Sequence, residues 1–121
     1  MSATPLKGYV LSSQCPSRQI LEHLTSKWSV LILRCLSQHH VLRFSQLKHH
    51  IDGVSEKMLS QTLRMLEQDD FITRKVYAEI PPKVEYRLTE LGQQAAEKID
   101  HLVFWIEENL EDILASRQQA P

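Results

Sequence analysis

Between Arg43 and Thr89 the sequence reads RFSQLKHHIDGVSEKMLSQTLRMLEQDDFITRKVYAEIPPKVEYRLT, and the order of its signals leaves few folds open. Phe44, Leu47 and Ile51 mark the inner face of a short helix. Asp52-Gly53 supplies a turn, because glycine takes positive φ without a Cβ clash. Ser55 is a good N-cap for a second helix that should stop near Asp69-Asp70. Phe71 to Ala78 and Val84 to Leu88 are rich in β-branched and aromatic residues and read as antiparallel strands. Pro81 and Pro82 donate no ladder hydrogen bonds and fit the connecting tip. Helix, turn, helix and hairpin in that order make a winged helix-turn-helix, an α+β fold that is mainly α.

The second helix has two faces. At about 100° per residue, Leu59, Leu63 and Leu66 fall on one side, with Met58 and Thr62 at its margin. Lys57, Ser60, Gln61, Arg64 and Gln68 gather on the other. A solvated face opposite any apolar stripe explains this much. The position after a turn and before a hairpin favours a second use, in which Arg pairs with guanine, Gln with adenine, and Ser or Lys with bases or phosphate. Arg43, Arg74, Lys75 and Lys83 extend the candidate DNA-binding set. Alternation does not put Arg74, Lys75, Lys83 and Arg87 on one strand face, so Lys83 at the tip ranks above Arg87 as a phosphate or minor-groove contact. Arg43 either anchors a phosphate or braces the start of its helix.

At 121 residues and 42% hydrophobic residues, one small domain spanning 1–121 is expected, with an adequate core. No stretch approaches about 18 uncharged apolar residues, so no membrane span is expected. The start lacks the pattern of a secretory signal, and two cysteines suit a reducing cytoplasm. A net charge of -1 argues against a DNA partner until its distribution is read. Residues 1–42 carry +3, residues 43–87 carry +1 and residues 88–121 carry -5. The acid is concentrated in the last segment, leaving the rest positive.

Residues 15–37 should form two helices. Cys15 can cap the first, with Pro16 at its first position and Ile20, Leu21 and Leu24 along it. Ser26 can cap the second, whose buried stripe is expected to be Trp28, Leu31, Ile32, Cys35 and Leu36. Gln38 to Val41 reads as a loop or short extended link. Residues 43–68 are the helix-turn-helix and 71–88 the hairpin. Thr89 can cap a helix over 89–114, striped by Ala95, Ile99, Leu102, Val103, Ile106, Leu110, Ile113 and Leu114. The domain is too small to cover so long a stripe, so a homodimer through Leu102, Ile106, Leu110 and Ile113 is expected. The alternative is a helix folded back over its own core. Residues after Ala115 read as a frayed tail.

Several linked motifs resemble the HxlR-type branch of the MarR-like winged-helix regulators of bacterial transcription. They are Cys15-Pro16, Lys27-Trp28 with Ile32 and Leu33, Arg43-Phe44 with Leu47, and Ser55 with Leu59, Leu63 and Leu66. The most specific is Pro81-Pro82-Lys83-Val84-Glu85-Tyr86 followed by Leu88-Thr89, Gly92 and Trp105. The resemblance covers roughly residues 15–105. It implies a homodimer joined through its terminal helices that binds an inverted-repeat operator in double-stranded DNA, most often as a repressor. Some members resemble redox or electrophile sensors acting through the position of Cys15. This chain departs from the family where Ser26, His40 and Asp70 stand at positions often held by Gly.

A thiol at a helix N-terminus has its thiolate stabilised, which makes Cys15 the candidate switch, alone or bridged to Cys35 of a partner subunit. Cys35 lies on an apolar stripe and reads as an inert core residue. His49 and His50 are adjacent on a helix and diverge, and no set of partners at productive spacing accompanies them or His39-His40, so no metal is expected. No cofactor is implied and no small effector is identified. The acids gather on the wet side of the last helix rather than around a nucleophile, so no enzyme is expected. The competing reading is a winged helix that binds protein, which would expose an apolar patch outside the homodimer contact.

Overall fold

The computed structural model describes residues 7–119, so the ends of the expected domain, 1–6 and 120–121, lie outside the described residues. Six helices and three strands follow in the order α1 (Pro16–Thr25), α2 (Lys27–His39), β1 (Val41–Arg43), α3 (Phe44–His50), α4 (Glu56–Gln68), β2 (Ile72–Tyr77), β3 (Lys83–Leu88), α5 (Glu90–Glu108) and α6 (Leu110–Gln119). The three strands form an antiparallel sheet ordered β1-β3-β2. The hairpin is therefore two-stranded as expected, but the link before α3 is a third strand. Leu42 in β1 faces Tyr86 and is buried, which gives this short segment an apolar reason to pair.

One core joins Ile32, Leu33 and Leu36 of α2 to Leu47 of α3, Leu59, Leu63 and Leu66 of α4, and Ile72 of β2. The α2 stripe differs from the expected one by about one residue. Ser29 and Leu33 are fully buried, Leu31 is exposed, and Trp28 and Cys35 are only partly covered. Ser29 can be buried because the Ser26 hydroxyl donates to its Oγ at 2.8 Å, so the polar atom keeps a partner. In α1, Ile20 and Leu21 are exposed, and no residue of that helix is fully buried.

The turn joining α4 to β2 is a structural junction. Asp70 takes φ 64°, as does His40 (φ 67°) after α2, whereas Ser26 sits at φ -64°. Two of the three glycine-like positions are thus left-handed, a conformation that aspartate tolerates better than bulkier residues. Thr89, the N-cap of α5, donates its hydroxyl to Asp70 O at 2.6 Å and accepts from Gly92 N at 2.9 Å. Its own N–H donates to Phe71 O at 3.0 Å.

The terminal helix does not run unbroken over 89–114. It divides at Asn109, whose backbone and side-chain N–H groups both donate to Trp105 O, at 3.0 and 2.8 Å. Asparagine competes for backbone partners in this way and so ends helices. The following α6 continues past Ala115, where a frayed tail was expected.

Gly92 cannot carry a side chain here, since an added Cβ would lie 1.9 Å from Phe71 O. No rotamer relieves a clash with backbone. Gly92→Ala is expected to lower stability by about 3 kcal/mol, the upper part of the overpacking range. Urea unfolding of the two proteins measures the difference.

Candidate nucleic-acid interface

The phase of α4 is set at its first turn, where the Ser55 Oγ accepts from Met58 N at 3.1 Å. From there Leu59, Thr62, Leu63 and Leu66 turn inward and are buried. Periodicity puts Thr62 at the margin of the stripe, but it lies inside, its hydroxyl satisfied by Met58 O at 2.7 Å. Met58, its expected companion, is exposed. Lys57, Gln61, Arg64 and Gln68 consequently share the free face, with Ser60 half-covered at its edge. Among the described residues neither Lys57 nor Arg64 forms an ion pair.

The remaining candidate contacts divide between two surfaces. Antiparallel register puts Arg43, Glu85 and Lys75 side by side across the sheet, with Val41, Arg87 and Thr73 in the next row on the same face and Tyr77 paired with Lys83 beyond. That face looks away from the core. Arg74 lies on the opposite face, beside α4, with Nε 3.7 Å from Glu67. Arg64, Ser60, Glu67, Arg74 and Tyr86 line a cleft of about 320 Å³ there. Arg43 also begins α3, its N–H donating to Gln46 Oε1 at 2.8 Å.

Sequence reasoning missed Glu85, the acid at the centre of the basic sheet face. Its carboxylate accepts from Tyr77 Oη at 2.7 Å and lies 3.7 Å from both Lys83 Nζ and Arg87. The Tyr77 hydrogen bond, helped by these two cations, holds its pKa below the ordinary glutamate value. Lys75 and Lys83 also sit over the Tyr77 ring, at 4.8 and 5.0 Å. Lys83 is therefore a positioned cation rather than a free one. The only sequence signal was the alternation of Lys83, Glu85 and Arg87, which shows a shared face but not the tyrosine across the hairpin.

Cys15 caps α1 and is half-exposed. The Ser17 hydroxyl donates to its sulfur at 3.0 Å and the Tyr9 N–H at 3.3 Å. These hydrogen bonds, Ser17 first, lower its pKa. Burial raises that of Cys35. On the terminal helices Leu102, Ile106 and Leu110 are 54%, 42% and 49% exposed, while Ile113 is half-covered. Phe104 and Trp105, outside the expected stripe, are exposed as well. No helix among the described residues is long and apolar enough to cross a membrane.

A buried apolar stripe that turns a polar helix face outward, followed by a β-hairpin, defines a winged helix-turn-helix DNA-binding protein. The chain belongs to the HxlR-like helix-turn-helix family, which matches residues 23–113. It is 51% identical over 113 residues to YtfH, an uncharacterized HTH-type transcriptional regulator of Escherichia coli K12, covering 93% of this chain and 89% of that protein. It is similar to the solved structure of the transcriptional regulator YtfH from Salmonella typhimurium, with a TM-score of 0.88, 50% identity and coverage of 93% and 100% of the two chains. The redox regulator HypR in its reduced form matches with a TM-score of 0.72 and 34% identity, over 84% of this chain and 98% of that one. The chain is a DNA-binding transcriptional regulator and not an enzyme.

The charge array around Glu85 has a pH consequence. A carboxylate whose folded pKa is lowered adds stability that is complete above its unfolded pKa and is lost as pH falls through the folded value. Tyr77→Phe removes the largest cause, so the Glu85 titration should move upward and the stabilisation should be lost at a higher pH. Carboxyl carbon NMR titration of the two proteins reads this shift.

Proposed function

We propose that this regulator acts as a homodimeric repressor whose paired α4 helices read an inverted-repeat operator in duplex DNA. The observation that carries the reading is the free face of α4. Lys57, Gln61 and Arg64 project together from a helix whose other side is anchored in the core. Gln61 and Arg64 have the donor geometry for base edges, while Ser60 and Lys57 suit bases or phosphate. Arg43, Lys75 and Lys83 on the sheet, and Arg74 beside α4, are assigned to phosphate and minor-groove contact. We assign this work to the cytoplasm, where the chromosomal DNA of a bacterial cell lies.

The exposed apolar side chains of α5 and α6 support the dimer. Leu102, Phe104, Trp105, Ile106, Leu110 and Leu114 are all exposed, and bare apolar side chains concentrated on one pair of helices are what an interaction surface covers. A two-fold pair would set its reading helices about 34 Å apart, one turn of DNA, or a multiple of that.

Cys15 is proposed as the sensor. Its lowered pKa enriches the thiolate, the form that reacts, and the similarity to the redox regulator HypR agrees with that role. Peroxide oxidises a thiolate to a sulfenic acid and is itself reduced to water. Hydrogen peroxide should weaken operator binding by the wild-type protein and leave Cys15→Ser unchanged. A Cys15→Ser protein that loses operator binding in peroxide to the same degree would refute the assignment.

Contacts to bases and to phosphates separate by mutation. Arg64→Ala is expected to cost about 1–3 kcal/mol of preference for the selected operator over random duplex, the value of one bidentate base contact. Lys83→Ala should weaken all duplexes alike and reduce the salt slope by roughly one. Selection of duplexes from a random pool followed by salt-dependent titration measures both.

A further inference from the structure

Four of the six histidines stand in two adjacent pairs, His39-His40 and His49-His50. Adjacent imidazoles on a helix diverge, but the fold brings one ring from each pair together. His39 ends α2 and His50 ends α3, and their ring centroids lie 4.5 Å apart with planes 21° from parallel. His49 approaches His50 edge-on at 5.9 Å. All three side chains are exposed, so core packing does not account for the cluster. Among the described residues the one hydrogen-bonded histidine ring is that of His23, which holds Asp69.

We propose that His39 and His50 form a two-histidine binding site for a late first-row divalent cation, Zn²⁺, Ni²⁺ or Cu²⁺, with water completing the shell. A neutral imidazole keeps one nitrogen lone pair, and imidazole suits these ions, whereas Mg²⁺ and Ca²⁺ take oxygen donors. An ion about 2.0–2.1 Å from each nitrogen in tetrahedral geometry needs the two donors roughly 3.3 Å apart. Rings whose centroids are 4.5 Å apart reach that separation by rotation about χ2, a broad torsion in histidine, with both helices in place.

No group of three or more His, Cys, Asp or Glu side chains capable of holding a metal occurs among the described residues. The site therefore has two protein ligands and open positions, unlike a closed structural zinc centre. That makes it exchangeable and responsive to the free metal concentration. The bound ion would tie the end of α2 to the end of α3, just ahead of the Gly53 turn that leads into α4. Metal occupancy would thus fasten the first helix of the helix-turn-helix to the scaffold behind it.

The test uses the full chain without an affinity tag. Calorimetric titration with Zn²⁺ at neutral pH should show one micromolar site per chain. His39→Ala and His50→Ala should each weaken it by at least about tenfold, a loss that removing even an outer-shell partner of a metal-bound histidine produces. His23→Ala should leave it unchanged. Zn²⁺ should raise the thermal midpoint of the wild-type protein and not that of the two site variants, since an ion that binds only the folded state stabilises it. Copper titrated into the wild-type protein should give an electron paramagnetic resonance spectrum with two coordinated imidazole nitrogens. Absence of zinc binding at millimolar metal would overturn the proposal. So would a site of undiminished affinity in the His39→Ala, His50→Ala double variant.

Discussion

Leu59, Leu63 and Leu66 enter the core from α4 and join Ile32, Leu33 and Leu36 from α2. Burying each of these side chains is worth about 1.5–3 kcal/mol. Rotating α4 by one residue, about 100°, would expose part of that stripe and drive Arg64 and Glu67 toward the interior in one sense, or Gln61 in the other. An unpaired buried charge costs more than any single apolar contact returns. The presentation of Lys57, Gln61 and Arg64 is therefore a consequence of packing on the far side of the helix. Ser55 reinforces the same phase from the end by tying down Met58 N.

The end of α4 receives the rest of the molecule. His23 of α1 contacts Asp69 at 2.5 Å, Thr89 at the start of α5 holds Asp70 O, and Gly92 lies directly over Phe71 O. Helices from both ends of the chain thus meet the end of α4 at one turn of three residues. The start of α5 is held against this turn by the close approach at Gly92, and α1 by the His23–Asp69 contact. In the proposed regulator, Cys15 sits at one end of α1 and His23 near the other, so a change at the thiol bears on the same junction.

Much of this is legible in the sequence. The α4 stripe, the Gly53 turn (φ 84°), the hairpin and the caps at Ser55 and Thr89 follow from local chemistry that tertiary contacts only reinforce. Most of the misses come from side-chain and strand pairings that local pattern does not report. Val41 to Arg43 is too short to read as a strand and becomes one because β3 supplies its partners. Ser29 looks polar and exposed until Ser26 is seen beside it. Glu85 and Tyr77 are joined across the hairpin, and His39 meets His50 only when α2 and α3 fold together. Periodicity places residues on faces, but it does not say which faces meet.

The break at Asn109 bears on how a second copy would fit the terminal helices in the proposed homodimer. A straight stripe of leucines and isoleucines would accept many registers of a second helix, since apolar packing carries little direction of its own. Here the stripe is interrupted where Asn109 closes α5 and α6 begins, so a second copy in the proposed dimer would have to match the break as well as the stripe. A second copy of the chain has the same break, and two-fold symmetry would make each copy's surface complementary to the other only in particular alignments. The acids Glu107, Glu108, Glu111 and Asp112 narrow the choice further. Alignments that bring the two acidic clusters within a Debye length, about 8 Å at physiological salt, are disfavoured. In the proposed homodimer, shape and charge at the break would thus favour a single register, which is what a fixed spacing between two reading helices would require.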